Sequence, residues 1–182
     1  MKYFKTIKLK DGRECVLRNA VKEDGQAVLD NFILTHSQTD FLLSYPDEIK
    51  FTLEEEAEYM QKKADSENEV EIIALVDGKV VGSAGVDSVG KAYKLKFRSN
   101  FGISVDKAFW GLGIGSALTE ACIECAKEAG YMQIELDVVA ANEHAIALYE
   151  KYGFIEFGRN PRGFFSRENG WQTVVLMRKE LD

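Results

Sequence analysis

The chain has 182 residues, 46% of them hydrophobic and 29% charged, with a net charge of −7. That length and balance suit one globular domain over residues 1–182 with a sizeable core, and two prolines with no low-complexity stretch exclude a long disordered linker. The acidic charge disfavours nucleic acid and anionic membrane, no apolar run nears the ~18 residues of a membrane span, the start lacks a secretory apolar region and three cysteines make no disulfide framework, so the cytoplasm is the expected compartment.

Glu14–Asn19 reads as a first strand, followed by a helical pattern from Glu23 to about Leu34. Thr35 to Phe51 is irregular, bears aromatic residues and contains Pro46. Thr52 with Glu55 three residues on predicts a capped helix start, and that helix runs to about Asp65. Val70–Val76 and Lys79–Val86 are apolar-rich runs joined by Asp77-Gly78, the signature of a type I′ hairpin. Leu95–Val105 predicts a longer strand with Leu95, Phe97, Phe101, Ile103 and Val105 on one face, interrupted by Ser99.

A helix is expected over Gly113–Ala129, ended by Gly130, then a strand over Gln133–Val139 and a helix over Glu143–Tyr152 stopped by Gly153. Two strands close the chain, roughly Ile155–Arg159 and Thr173–Lys179. The order β-α-α-β-β-β-α-β-α-β-β implies a mixed sheet with helices on both faces; the hairpins give antiparallel pairs and the unit around 113–129 a parallel one.

Val105 to Leu118 leaves a strand and enters a helix, with Gly111, Gly113 and Gly115 at every second position. Glycines admit unusual backbone conformations and close ligand approach, while the helix start offers free N–H groups and the positive dipole end. Together these suit a phosphate or pyrophosphate. A P-loop would place Lys-Ser/Thr after its last glycine, where Ser116-Ala117 stands, and the glycine spacing is wrong for a dinucleotide fingerprint. A tight packing turn stays open on this segment alone.

Asn142 to Phe154, Asn-Glu-His-Ala-Ile-Ala-Leu-Tyr-Glu-Lys-Tyr-Gly-Phe, closely resembles the second acyl-CoA motif of the GNAT N-acetyltransferase superfamily. The glycine turn resembles that superfamily's first motif, in the right order and at the expected distance. The resemblance covers residues 95–160; elsewhere only the order of elements matches. It implies an α/β (mixed α+β) acyl-CoA N-acyltransferase fold with a central, mostly antiparallel mixed sheet, acetyl-CoA as co-substrate and no metal. Ile103, Ser104 and Val105 fall where the strand meets the pantetheine arm. The main chain of Gly111, Leu112, Gly113, Ile114, Gly115 and Ser116 falls where the pyrophosphate is held. Asn142 is expected to contact pantetheine or cap the helix that follows, and Tyr149 stands where the family has the acid that protonates the departing thiolate. Trp110 departs from the family pattern, which has Arg or Gln there; a side-chain contact to phosphate is lost and the main-chain contacts remain.

The resemblance implies transfer of the acetyl group to a primary amine of a small molecule, by direct attack through a tetrahedral intermediate. A protein N-terminal acetyltransferase of the ribosomal-protein type and a non-catalytic acyl-CoA sensor are the alternatives; homodimers are common among relatives. An alkyl ammonium is mostly protonated at neutral pH, with a pKa of about 10.4, so a proton must be accepted. Asn100 occupies a stretch where relatives often carry a carboxylate and cannot serve as base. Glu71, Asp87, Glu135 and Asp137 are the candidates, with relay through water preferred. A strand N–H near Ser104 or Val105 suits the oxyanion.

Cys122 and Cys125 form a CxxC in mid-helix, away from the helix start where a reactive thiolate is stabilised, and are read as packing. His36 is expected in the irregular segment and His144 at a helix surface. Arg159, Arg162 and Arg167 flank Gly163-Phe164-Phe165, read as a turn before the last strand.

Overall fold

A computed structural model describes residues 1–181. Eight strands form one sheet in the order β1-β2-β3-β4-β5-β6-β8-β7. The strands are β1 (Phe4–Lys8), β2 (Glu14–Asn19), β3 (Val70–Val76), β4 (Lys79–Ser88), β5 (Arg98–Val105), β6 (Gln133–Val139), β7 (Ile155–Ser166) and β8 (Gly170–Glu180). Every neighbouring pair is antiparallel except β5 with β6, which the crossover helix makes parallel.

Four α-helices cover the sheet: α1 (Gly25–Ser37), α2 (Leu53–Asp65), α3 (Ile114–Glu128) and α4 (Glu143–Lys151). Strand alternation assigns their faces. In β3, Ile72 and Ala74 join the core with Leu118 and Cys122 of α3, while Ile73 between them packs with Val28 of α1 and Met60 of α2. The capping box of α2 forms: Thr52 Oγ1 accepts from the Glu55 N–H, and the Thr52 N–H donates to the Glu55 carboxylate. Asp77 (φ 49°) and Gly78 (φ 75°) make the hairpin turn that their sequence demands.

The sequence reading differs from the structure at four places. Phe4–Lys8 forms a strand that no apolar face announced: Phe4, Thr6 and Lys8 are exposed. Leu95 to Phe97 lie in a turn, and β5 begins at Arg98. The last hairpin is longer at both strands than expected; Gly163-Phe164-Phe165 lies inside β7 and the turn falls at residues 167–169. Pro161 sits within the register shift between Asn160 and Phe164, where a bulge absorbs its missing N–H. His36 belongs to the last turn of α1, buried, with Nδ1 2.7 Å from the Phe32 carbonyl.

Between α2 and the sheet lies a buried ion cluster. Lys63, 2% exposed, places Nζ 3.1 Å from Glu71 and 2.9 Å from Asp87. Gly85 makes room for it, since a Cβ there would lie 2.5 Å from Glu71 Oε2. Among the described residues no helix is long and apolar enough to cross a membrane.

Candidate active site

The sheet opens where β5 and β6 part. They pair only from Arg98–Gln133 to Asn100–Glu135, whereas β5 keeps its regular partnership with β4 out to Val105. Val89 N–H donates to Arg98 C=O and Asp106 N–H donates to Val81 C=O, so even-numbered residues of β5 turn their main chain toward β4. Alternation then turns the N–H and C=O of Phe101, Ile103 and Val105 toward the gap, and that edge has no strand beside it. The Val105 carbonyl is met instead by the indole Nε1–H of Trp110 at 2.7 Å. Ser104 also borders the gap, but its main chain belongs to the β4 ladder.

The glycine turn closes one end of the gap. Gly111 (φ 77°) and Gly113 (φ 103°) are left-handed, and Gly113 is the N-cap of α3 without any side-chain cap. The first main-chain bond into the helix is donated by Ala117 to the Gly113 carbonyl, which leaves the N–H groups of Ile114, Gly115 and Ser116 open at the positive end of a four-turn helix. Such an end holds an anion without a side-chain cation. The side chains of Ile114 and Leu118 are buried in the core and fix the helix start against the sheet.

The other wall is α4. Asn142 caps it, its Oδ1 accepting from the Ala145 N–H at 3.2 Å. Tyr149 on the second turn is 7% exposed, held edge-on to Phe101 at 6.0 Å between centroids and against Phe154 at 5.9 Å. Burial pushes its phenol pKa well above 10, so the hydroxyl stays protonated at neutral pH. It makes no hydrogen bond to any described residue, and Tyr149 borders the gap.

These parts line one cleft of about 610 Å³, which gathers Ile103, Ser104, Val105, Gly111, Gly115, Asn142 and Tyr149. Leu112, Gly113, Ile114 and Ser116 are not in its lining; what they offer is main chain at the turn. His144, read as a surface residue, is exposed yet stands at the cleft wall. The sequence had marked Thr35 to Phe51 only as a segment. The structure selects Thr35, Thr39, Phe41 and Leu42 from it as lining of the cleft. Trp110 lines the cleft as well.

The carboxylates separate by their partners. Glu71 and Asp87 are tied to Lys63. Glu135 is gripped by Arg98, with Nη2 2.8 Å from Oε2, and that guanidinium holds its pKa below the usual range. Asp137, two residues on along β6 where pairing with β5 has ended, is exposed, is not part of the cleft lining and makes no ion pair with the described residues; partial desolvation, then the charge of Glu135, raises its pKa. Cys122 and Cys125 are buried in α3 with raised pKa values, which makes them inert packing.

The sequence pattern of the Acetyltransferase (GNAT) family matches residues 33–154. The L-amino acid N-acetyltransferase AaaT of Escherichia coli K12 is 30% identical over 142 residues, 78% of this chain and 83% of its own length. The ribosomal protein bS18-alanine N-acetyltransferase of the same organism is 35% identical over 77 residues, 42% of this chain and 51% of its own. Among solved structures, an acetyltransferase of the GNAT family from Streptococcus pneumoniae is similar at a TM-score of 0.87 and 29% identity, covering 91% of this chain and 99% of that one. A phosphinothricin acetyltransferase from Sinorhizobium meliloti, solved with acetyl-CoA, reaches 0.80 at 21% identity, over 92% and 88% of the two chains.

Proposed function

Because the chain belongs to the Acetyltransferase (GNAT) family and is an N-acyltransferase that uses acetyl-CoA, we propose that its acceptor is the primary amine of a small molecule, acetylated in the cleft between β5 and α4. One observation carries the reading: a single cleft joins an unpaired strand edge, an uncapped helix start and a buried tyrosine whose hydroxyl has no partner among the described residues. On this reading residues 1–182 are one domain and the cytoplasm is its compartment.

Acetyl-CoA supplies an activated acyl group, and the protein's residues do the rest. The edge of Ile103 and Val105 holds the pantetheine arm as a partial strand, with the Asn142 side chain beside it. The N–H groups of Ile114, Gly115 and Ser116, together with the flexible main chain from Gly111, hold the pyrophosphate. Val105 N–H, which faces the gap while that of Ser104 is spent on β4, donates to the oxygen on which charge develops.

Tyr149 donates its proton toward the departing sulfur. A phenol whose pKa is raised is a weaker acid than usual, but the dry surroundings that raise it also raise the basicity of a thiolate there, ordinarily near 8.5. The amine's proton leaves through water, and Asp137, on β6 just past the point where it parts from β5 but outside the cleft lining, is the candidate carboxylate at the end of that relay.

A relative that covers 78% of this chain is named for acting on L-amino acids, which supports a small acceptor. The second reading, a protein N-terminus, is supported by the bS18-alanine acetyltransferase over a shorter span. Thiol release from acetyl-CoA, measured against a panel of small amines and of N-terminal peptides, separates them. Turnover confined to small amines is expected; turnover confined to peptides would overturn the reading.

A further inference from the structure

Asp40 lies between two residues of the cleft wall, Thr39 and Phe41, and is the most heavily hydrogen-bonded side chain near it. Tyr45 Oη donates to Oδ1 at 3.0 Å. Ser166 Oγ, Asn169 Nδ2 and Gln172 Nε2 donate to Oδ2 at 2.6, 2.8 and 2.9 Å, and Gln172 also reaches the Asp40 carbonyl at 3.1 Å. Three of these donors belong to the tip of the β7–β8 hairpin, more than 120 residues away in sequence. Ser166 is 4% exposed and accepts the N–H groups of Glu168 and Asn169 in turn, so the tip itself is folded around the hydroxyl that Asp40 takes.

The segment is tied at its other end to the acyl-donor side. Gln38 donates to Asp106 at 2.9 Å and accepts from the Lys107 N–H at 2.8 Å, just past the end of β5. Thr39 is thus held between two anchored residues, Gln38 at the end of β5 and Asp40 at the hairpin, and Phe41 and Leu42 follow directly after the second anchor. The wall they make with Thr35 carries no charged side chain.

We infer that Asp40 is a positioning residue for the acceptor, holding Thr39, Phe41 and Leu42 as an uncharged wall that selects amines bearing an apolar group. This rests on the small-amine reading above. That wall suits an apolar substituent on the acceptor, because burying a charge against it without a partner is costly, while the ionisable side chains of the cleft, Glu143 and His144, stand at the start of α4.

The test compares wild type, Asp40→Asn and Ser166→Ala with acetyl-CoA and two probe amines, ethylamine and phenethylamine. Wild type is expected to favour phenethylamine. Asp40→Asn turns an amide toward three donors, so KM for phenethylamine should rise by about tenfold, the cost of roughly one hydrogen-bond set. The preference should shrink, with acetyl-CoA affinity unchanged within about twofold. Ser166→Ala, which leaves the carboxylate its other donors, should move the same way by less and carries the test if Asp40→Asn does not fold. Unaltered preference in both variants, or acetyl-CoA affinity falling in step with acceptor KM, overturns the inference and leaves the reading standing. A wild type active only on peptides overturns both.

Discussion

The indole N–H of Trp110 donates to the carbonyl of Val105 at 2.7 Å, across the bend where β5 ends and the glycine turn begins. The bond matters because Val105 is the last residue of an edge left open by β6. It satisfies the carbonyl of Val105 and leaves its N–H for a ligand. Trp110 stands at the place that the family resemblance gives to Arg or Gln, and its side chain serves the protein's own main chain. On the proposed placement of acetyl-CoA, phosphate recognition falls to the N–H groups of the turn and helix start.

Tyr149→Phe should lower kcat about a hundredfold, the usual scale for a positioned acid, with acetyl-CoA affinity within about threefold of wild type. The ring contacts with Phe101 and Phe154 survive the change. Steady-state kinetics together with calorimetric acetyl-CoA binding check this. Undiminished turnover removes Tyr149 from the chemistry.

Asp137→Asn should reduce kcat by about tenfold and leave acetyl-CoA binding intact, because the change removes a proton acceptor and no ion pair. The same change at Glu135 should act through the fold, since it frees Arg98. Equal kinetic constants for wild type and Asp137→Asn would mean that the amine gives its proton to bulk water.

Gly113→Ala should cost about 1–2 kcal/mol of stability, the penalty of a left-handed residue with a Cβ. Space is not the issue, as a Cβ at this position would have no neighbour within 4 Å. Relaxing the strain re-aims the N–H groups of Ile114 to Ser116, so acetyl-CoA should bind about tenfold more weakly. Thermal denaturation and calorimetry measure the two effects, and wild-type values in both would show that the turn does not need this backbone conformation.

The two motifs were legible because each is local. Glycines two apart need only the next turn of chain to become a helix start, and Asn142 caps the helix it precedes. The hairpin at Asp77-Gly78 was equally plain. What the sequence hid is long-range. The parting of β5 from β6 is a property of strand pairing. Ser166 and Asp40 are 126 residues apart, and nothing near either announces the bond. Phe4–Lys8 has no buried alternate face to betray it, and Pro161 disguised a strand that bulges around it.

Glu56 is 9% exposed, its carboxyl has no hydrogen-bond partner among the described residues, and burial followed by the charge of Glu71 raises its pKa. A carboxyl with a raised folded pKa opposes folding once it ionises. Its penalty is absent below the unfolded value, about 4.3, and sets in as pH rises through the folded one. Glu56→Gln should therefore raise the thermal midpoint at pH 7.5 and change it little at pH 4. A gain that is the same at both pH values would assign the effect to packing.

The placement of acetyl-CoA along the open edge of β5 is tested most directly by residue-resolved amide hydrogen exchange with and without it. Ile103 and Val105 face the gap, and Ser104 is already bonded to β4. Acetyl-CoA should slow exchange at Ile103, Val105 and Ile114 to Ser116, with little change at Ser104. Protection at Ser104 with none at Ile103 and Val105, or no protection along β5 at all, would contradict the account.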